Sequence, residues 1–206
     1  MRQVIKLLLF SCVASVICQD AGLWAEVYME VGGEGQSLYT RDYLSDFTSL
    51  VPGASSICGA GVWLLYEKPK YDGSGTGQSH VFLGSGDCQD IPFNATSIRQ
   101  AGSPSVFDRP SLTLYAYTHF RSLELYITED LPFLGVFSDQ AYSAVVTGSL
   151  PWTVYTYDSY GGQGTCLSPN ETVEVGGATV GVGLFPTYYE LGSSGLIRSV
   201  RRGCDF

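Results

Sequence analysis

The chain has 206 residues, of which 45% are hydrophobic and 15% are charged, and it is rich in glycine (25) and tyrosine (14). Its 11 Lys and Arg residues stand against 20 Asp and Glu residues, which gives a formal net charge of −9 at pH 7. This acidic balance argues against binding to nucleic acid or to anionic membrane surfaces, because both depend on clustered basic residues.

The N-terminus has the composition of a secretory signal peptide. Arg2 and Lys6 form a short basic region, residues 7–16 are uncharged and mostly apolar, and Cys18 is a small residue before a polar stretch. This order predicts a signal peptide over 1–18, and the apolar run is shorter than the roughly 20 residues that span a bilayer. The alternative is a buried first strand or helix. Cleavage would leave 9 basic residues (11 − 2) and 20 acidic residues, a net charge of −11, so we expect a soluble, secreted, extracellular protein with no transmembrane segment.

Four cysteines follow the predicted signal peptide: Cys58, Cys88, Cys166 and Cys204. An even number in an oxidising compartment predicts two disulfides, for which three connectivities are open. The simplest pairing, with one bond in each half, is Cys58–Cys88 and Cys166–Cys204, and each bond would stabilise the fold by roughly 3–4 kcal/mol. No pair has the CxxC spacing of a zinc or redox site.

Two sequons, Asn94-Ala95-Thr96 and Asn170-Glu171-Thr172, predict N-glycosylation on the secretory route. The protein would then be a glycoprotein. Such three-residue patterns also occur by chance.

Short apolar or alternating runs between Gly, Asp, Ser and Pro residues predict β-strands along the whole chain. In chain order, examples are 24–31, 62–66, 79–83, 112–117, 123–127 and 152–157. Only single helical turns are expected, at 46–51 and 187–192. Regular short strands with Gly-rich turns are typical of β-sandwiches and barrels.

A repeated motif divides the chain into four units. Two strong copies share the pattern Trp-x-x-Tyr-x-x-x-x-Tyr-x-Gly: Trp63, Tyr66, Tyr71, Gly73 and Trp152, Tyr155, Tyr160, Gly162. Weaker copies begin at Tyr28 and Tyr115, with Gly33 and Gly35, or Phe120 and Ser122, at the later positions. A serine before a branched or small apolar residue follows each copy: Ser56, Ser97, Ser143 and Ser199.

The motif has a physical reading as a folded corner. The first aromatic ring ends a strand and faces inward, and the second packs back over a tight turn. The glycine supplies a backbone conformation that a Cβ would penalise. The later serine hydrogen-bonds to the turn and holds it in place.

This arrangement resembles the βγ-crystallin superfamily, whose hallmark is an aromatic-x-x-x-x-aromatic-x-Gly corner followed by a serine, twice in each domain. Residues 61–73 are especially similar to the second motif of lens crystallin domains, and 96–99 and 197–202 resemble the closing strands. The similarity covers nearly all of the chain after the predicted signal peptide. It departs at Gly33 and Ser122 in the weaker corners, in the extra Gly and Ser residues of 74–77, and in the long segment 173–195.

The resemblance implies an all-β fold with two Greek-key β-sandwich domains, each with two four-stranded sheets. Domain 1 would span 23–102, a linker 103–111, and domain 2 112–204, either packed within one monomer or paired in a dimer. In this family one strand of each unit is exchanged into the partner sheet. That exchange would bring Cys58 beside Cys88, whereas the strands of Cys166 and Cys204 need not be adjacent.

Calcium binding is a hypothesis that the resemblance raises. Many relatives bind Ca²⁺ through an Asn/Asp-Asn/Asp-x-x-Ser/Thr-Ser stretch, whose oxygens suit a hard cation. The corresponding stretches here are 51–56, 92–97, 138–143 and 194–199, and none is complete. The remaining candidate ligands are Ser55 and Thr96, which favour the first domain, and Asp139 in the third unit. Arg198 in the fourth stretch would repel a cation.

An enzymatic role is not indicated by the sequence. The two histidines, His80 and His119, have no partners at a recognisable catalytic spacing, and His119 lies inside the third corner. No Gly-x-Ser-x-Gly, His-Glu-x-x-His or phosphate-loop motif is present.

Two classes of function remain. The first is a stable structural protein of the extracellular space, with a protein or matrix partner that the sequence does not define. The second is a secreted interaction module, such as a host-defence factor, a toxin-complex subunit or a glycan-binding component. An apolar set formed by Phe133, Leu134, Val136 and Phe137 is interpreted as exposed, and exposed apolar patches mark contacts. We expect it at the interface between the domains, with a partner site as the alternative.

Overall fold

The computed structural model describes residues 22–104, 106, 108–192 and 196–204. The predicted signal peptide lies outside these residues, as does the start of the fourth calcium-related stretch. The described chain consists of β-strands joined by loops and short helical turns, which confirms the expected all-β class. No helix within it is long and apolar enough to cross a membrane.

Five strands form the first half of the described chain, and eight form the second half. The first five are β1 (Trp24–Tyr28), β2 (Ser37–Thr40), β3 (Ala54–Tyr66), β4 (Ser79–Ala95) and β5 (Ser97–Gln100). The others are β6 (Ser111–Tyr117), β7 (Arg121–Ile127), β8 (Ser143–Thr147), β9 (Trp152–Tyr155), β10 (Gly164–Leu167), β11 (Glu171–Val175), β12 (Ala178–Phe185) and β13 (Ser199–Arg202). The helical turns are α1 (Pro69–Asp72) and three 3₁₀ turns, Val31–Gly33, Gly135–Phe137 and Asp158–Tyr160.

The long strands β3 and β4 each run through both sheets of the first half. The beginning of β3 pairs with β1 and with the end of β4, whereas its end pairs with β5 and with the beginning of β4. At the change-over, a Cβ on Gly59 would lie 2.5 Å from the carbonyl oxygen of Trp24, so only glycine fits. A bridge between Leu44 and Ile98 brings the first unit into the sheet of the second. The two units therefore exchange strands, as the family resemblance implies.

The second half repeats this exchange with shorter strands. Its larger sheet has the order β11-β12-β8-β6-β7, and its smaller sheet has the order β10-β9-β13. Strand β12 of the fourth unit pairs with β8 of the third. In the other direction, a bridge between Leu131 and Val200 brings the third unit to the smaller sheet of the fourth. Each half is thus a Greek-key sandwich of two antiparallel sheets.

The long segment of the fourth unit forms a hairpin that reaches the other half. Strand β11 pairs with β12 along Glu171–Val175 and is the edge of the larger sheet. Its side chains alternate, with Val173 and Val175 buried and Glu174 exposed. The two valines pack in a cluster that includes Val62 and Leu64 of the first half. A segment that the sequence marks only as a departure from the repeat therefore contributes to the interface.

Three apolar clusters form among the described residues, and the alternating side chains of β3 contribute to two of them. Trp63 and Leu65 face the core of the first half, while Val62, Leu64 and Tyr66 face a cluster shared with the second half. The second half has its own core around Trp152. Each buried aliphatic side chain contributes about 1.5–3 kcal/mol. The proposed domain limits stay predictions, although β5 ends at Gln100 and β6 begins at Ser111, the last residue of the predicted linker.

Candidate functional site at the corners and the interface

A fully buried serine closes each of the four corners. The hydroxyls of Ser56, Ser97, Ser143 and Ser199 donate to the carbonyls of Glu30 (2.5 Å), Lys68 (2.7 Å), Tyr117 (2.6 Å) and Tyr157 (2.6 Å), respectively. The same hydroxyls accept from the backbone N–H groups of Gly33 (3.0 Å), Tyr71 (3.2 Å), Phe120 (2.9 Å) and Tyr160 (2.9 Å). Each serine therefore joins the two ends of its turn, and the hydroxyl is satisfied in both directions although it is buried.

Three corners contain an edge-to-face aromatic pair. The ring centroids are 5.9 Å apart for Tyr66–Tyr71, 5.7 Å for Tyr115–Phe120 and 5.9 Å for Tyr155–Tyr160. This geometry is the one that aromatic quadrupoles favour, and it contributes about 0.5–1.5 kcal/mol beyond area burial.

Glycine has its predicted conformational role in the fourth corner but not in the second. Gly162 has φ +76°, and a Cβ there would lie 2.3 Å from the Thr156 hydroxyl oxygen. Gly73, in contrast, has φ −59°, a conformation open to any residue, so the predicted role of Gly73 is wrong. The inserted residues 74–77 lengthen this turn, and the left-handed conformation falls on Asp72 (φ +48°) and Gly75 (φ +68°) instead.

The first corner lacks its second aromatic ring, and a disulfide takes the place of that ring. Gly33 occupies the aromatic position, and a Cβ on it would lie 3.2 Å from the Cys58 sulfur and 3.3 Å from the Cys88 sulfur. The two cysteines are directly opposite each other on β3 and β4, and their sulfurs are bonded at 1.98 Å. Strand exchange thus supplies a cross-link that also fills the degenerate corner.

The second disulfide lies at the end of the smaller sheet. Cys166 on β10 is bonded to Cys204, which follows β13, with a sulfur–sulfur distance of 2.00 Å. Strand β9 lies between these two strands, so the bond spans one intervening strand. The pairing matches the simplest of the three connectivities open from the sequence.

Asp72 organises the Gly- and Ser-rich loop that follows the second corner. Its carboxylate is fully buried and accepts hydrogen bonds from the Ser74 hydroxyl (2.7 Å) and from the backbone N–H groups of Gly77 (2.7 Å) and Thr76 (3.3 Å). Burial alone would raise the pKa of Asp72, but these bonds, with the charge of Arg121, hold its pKa below the ordinary value. The loop is therefore folded around an anionic side chain.

Arg121 ties this loop to the third corner. Its Nη1 lies 3.4 Å from the Asp72 carboxylate and donates to the carbonyls of Gly75 and Gly77, both at 2.8 Å. Its Nε and Nη2 donate to the carbonyl and the hydroxyl of Thr118, at 2.9 and 3.1 Å. Because Arg121 belongs to the second half and Asp72 to the first, this network crosses the interface.

Arg99 forms a second and more deeply buried link, with a relative exposure of 1%. Its Nε donates to the Tyr66 hydroxyl (2.8 Å), Nη1 to the Ser122 carbonyl (2.8 Å) and Nη2 to the Phe120 carbonyl (2.7 Å). Its Nη1 also lies 3.3 Å from the Glu124 carboxylate. The guanidinium therefore connects a strand of the first half to the third corner and to β7 of the second.

Three tyrosine rings surround this guanidinium. Its central carbon lies 5.2 Å from the ring centre of Tyr66, 4.8 Å from that of Tyr71 and 4.7 Å from that of Tyr115. Burial would lower the pKa of Arg99, but Tyr66, Tyr115 and Glu124 raise it above the ordinary value. The cation is thus fixed by cation–π contacts as well as by directed hydrogen bonds.

The candidate calcium ligands all have partners within the protein. The Ser55 hydroxyl donates to the Asn94 side-chain oxygen (3.1 Å), and the Thr96 hydroxyl donates to the Glu67 carbonyl (2.9 Å). Both carboxylate oxygens of Asp139 accept from Arg198, at 2.7 to 3.0 Å. Among the described residues, no three His, Cys, Asp or Glu side chains gather as metal ligands.

Both sequon asparagines, Asn94 and Asn170, are exposed. The histidines have different environments. His119 is exposed in the third corner with φ +59°, and its backbone N–H donates to the Pro186 carbonyl (2.6 Å). His80 lies in β4, where burial lowers its pKa.

The apolar set of the third unit is only partly exposed. Leu134 and Phe137 belong to the core of the second half, with exposures of 5% and 8%. Phe133 and Val136 are exposed, at 59% and 92%, and neither belongs to the shared cluster. The expectation that this set forms the interface is wrong, because the shared cluster is built mainly from β3, β6, β8, β11 and β12 instead.

The sequence did not reveal the roles of Arg99, Asp72 and Arg121. Their partners are mostly backbone carbonyls 21 to 46 residues away, or backbone and side-chain groups in the adjacent loop, and backbone groups leave no trace in side-chain patterns. The one available signal was charge, because Arg99 is the only charged residue of the closing strand Ser97–Gln100.

Comparison with solved structures shows the fold. The chain is similar to Geodin, a βγ-crystallin from Geodia cydonium, with 20% identity and a TM-score of 0.67, over 88% of this chain and 99% of Geodin. An archaeal βγ-crystallin matches 45% of this chain and 96% of its own at 24% identity and a TM-score of 0.36. A structure described under the evolution of the eye lens βγ-crystallin domain fold matches over 47% of this chain and 87% of its own chain, at 13% identity and a TM-score of 0.36. No protein-family model matches the chain, and no curated protein sequence does so either. The chain therefore has the two-domain βγ-crystallin fold.

The two disulfides offer a matched test of the first corner. They close loops of similar length, with separations of 30 and 38 residues, so the cross-link alone should contribute about 3–4 kcal/mol in each case. Only the Cys58–Cys88 sulfurs also fill a corner. We expect the double variant Cys58→Ala/Cys88→Ala to lower the free energy of unfolding more than Cys166→Ala/Cys204→Ala, by about 1–2 kcal/mol. Denaturant unfolding measures both, and equal losses would show that the corner needs no filling.

The Asp72 carboxylate should make stability depend on pH. Its pKa is depressed in the folded protein, so its contribution is complete above the unfolded value near 3.8 and is lost as pH falls through the lower folded value. We expect Asp72→Asn to lower the free energy of unfolding by about 2–4 kcal/mol at pH 7, because its donors lose their anionic acceptor. The difference in the free energy of unfolding between Asp72→Asn and wild type should become smaller below about pH 4.

The matched control for this test is Asp87→Asn, at an exposed position of β4, which should change stability by less than about 0.5 kcal/mol. Urea unfolding from pH 7 to pH 3 gives the curves. A difference between Asp72→Asn and wild type that stays constant with pH would contradict a role for the charge.

Proposed function

We propose that the protein is a secreted, non-enzymatic structural protein whose function is to persist as one stable unit outside the cell. The observation that carries this proposal is the buried Arg99, which joins the two halves through hydrogen bonds to Phe120 and Ser122. Each half also contains its own disulfide. Both features serve stability and rigidity.

The buried polar groups support a structural role over a catalytic one. Asp72 and Arg99 bond to partners within the protein, and those partners fix the loop and the interface. A catalytic group, by contrast, must keep an atom available for a substrate. An acidic chain with two cross-links and exposed sequon asparagines also suits the extracellular space.

The second candidate function is a secreted interaction module. Phe133 and Val136 favour it, because they are exposed apolar side chains that the shared cluster does not use. A partner would contact the second half there. This function does not require the two halves to unfold together, so the calorimetric test below separates the two candidates.

Calcium is left out of the proposed function. Arg198 neutralises Asp139 and occupies both of its oxygens, so a cation would first have to break that ion pair. Ser55 and Thr96 offer neutral hydroxyls, and Ca²⁺ takes six to eight oxygen ligands, usually including carboxylates. We expect calorimetric titration of the calcium-free protein with millimolar Ca²⁺ to give no saturable heat. A saturable heat would show that the protein binds calcium and would contradict this expectation.

The Arg99 link predicts that the two halves unfold as one unit. We expect wild type to show a single calorimetric transition. Arg99→Met keeps an unbranched side chain but leaves Glu124 and the third-corner carbonyls without their cation, which should cost about 3–5 kcal/mol. The variant should then show two transitions, one for each half.

The control is Arg201→Met, because Arg201 forms an exposed ion pair with Asp130 and should contribute less than about 1 kcal/mol. Differential scanning calorimetry of wild type, Arg99→Met and Arg201→Met measures the number of unfolding transitions in each protein. Two transitions in wild type would remove the basis of the structural proposal and favour the interaction module.

A further inference from the structure

A cleft of about 330 Å³ lies where the loop of the second unit meets the third corner. It is lined by Ser74 and Gly75 from the first half and by Tyr117, Thr118, Arg121 and Tyr142 from the second. This volume is at the lower end of the range of ligand pockets, about 300–1,000 Å³. It suits a small molecule and not a folded chain.

The two tyrosine rings of the cleft are held in place, and each keeps an accessible part. Tyr117 is 42% exposed and packs against Gly75, where a Cβ would lie 2.8 Å from the ring. Tyr142 is 37% exposed and meets Tyr188 edge to face, with ring centres 6.3 Å apart. Neither ring has to be ordered when a ligand binds, which reduces the entropic cost of binding.

The loop side of the cleft is equally fixed. Asp72 bonds to Ser74, Thr76 and Gly77, and Arg121 holds the carbonyl of Gly75 from the other half. The cleft is therefore a product of the interface and exists only when the two halves are packed together.

The polar groups of the cleft suit a neutral ligand with many hydroxyls. The charge of Arg121 is balanced by the fully buried Asp72 at 3.4 Å, and the chain as a whole is acidic, so an anion gains little here. Arg121 Nη2 carries two N–H groups, and within the described residues one of them has an acceptor, the Thr118 hydroxyl. The other N–H, with the hydroxyls of Thr118, Tyr117 and Tyr142, is available for hydrogen bonds to a ligand.

We propose that this cleft binds a neutral saccharide of one or two rings. A pyranose ring has an apolar face of C–H groups, which packs on a tyrosine ring, and a rim of hydroxyls, which bonds to the polar groups just described. Rigid aromatic rings that combine with adaptable polar groups are the usual means of recognising such a molecule. This site goes beyond the structural role and does not depend on it.

The test is saturation-transfer NMR on the full folded chain with glucose, N-acetylglucosamine, their β-1,4-linked disaccharides, and glucuronate as an anionic counterpart. We expect at least one neutral saccharide to bind with a Kd on the order of 1 mM. Tyr117→Ala and Tyr142→Ala should each weaken binding about tenfold, because each removes a stacking surface. Tyr142→Phe keeps the ring and should stay within about threefold.

The matched control is Tyr126→Ala, since Tyr126 is 38% exposed but lies on β7 outside the cleft. Its binding should equal that of wild type, and circular dichroism checks that each variant is folded. The inference is overturned by no binding of any neutral saccharide, by equal losses in Tyr126→Ala and Tyr142→Ala, or by tighter binding of glucuronate. None of these results would affect the calorimetric test of the structural role, so the two proposals fail separately.

Discussion

Burial of the Arg99 guanidinium is the constraint on which the arrangement of the two halves depends. Removing such a cation from water costs several kcal/mol unless its donors and its charge are satisfied. Here its partners come from both sides of the interface: the Tyr66 hydroxyl from the first half, and the Phe120 and Ser122 carbonyls and the Glu124 carboxylate from the second. The apolar cluster around it supplies free energy but no direction, because hydrophobic contact is non-directional. Arg99 supplies direction, as do the bonds from Arg121 to Gly75 and Gly77, and together they fix one orientation of the halves.

The third corner can receive this cation because of its own geometry. Left-handed residues at His119, Phe120 and Ser122 turn the backbone sharply. The carbonyls of Phe120 and Ser122 accept from Arg99, that of Thr118 accepts from Arg121, and that of His119 accepts from the Ser79 hydroxyl at 2.8 Å. A motif that closes one sandwich thus presents the acceptors that join it to the other.

Much of this architecture was predictable from the sequence, because the corners depend on side chains. The aromatic positions have a fixed spacing, a serine follows each corner, and the structure brings each serine to its turn. The role of Gly73 was predicted wrongly, because an insertion of a few residues moved the left-handed positions without changing the motif. The hairpin of β11 was not predictable either, since its valines match an ordinary strand and their partners on β3 lie more than 100 residues earlier. The cleft between Gly75 and Tyr117 was not predictable for a similar reason, because its two sides come from segments that are distant in the sequence.

The departures of the first three corners from the repeat are themselves informative, because each coincides with a contact from elsewhere in the molecule. The first corner lacks an aromatic ring and has a disulfide against Gly33. The third corner has Ser122 where glycine is expected, in a left-handed conformation that costs a residue with a Cβ roughly 1–2 kcal/mol, and the Ser122 carbonyl is bonded to Arg99. The second corner has an insertion, and Asp72 with Arg121 holds it. The fourth corner, whose contacts among the described residues lie within its own half, keeps the full aromatic, glycine and serine set. Tertiary contacts thus relax the local sequence requirement where they are present, so the degenerate corners of such a chain point to its cross-links and its interface.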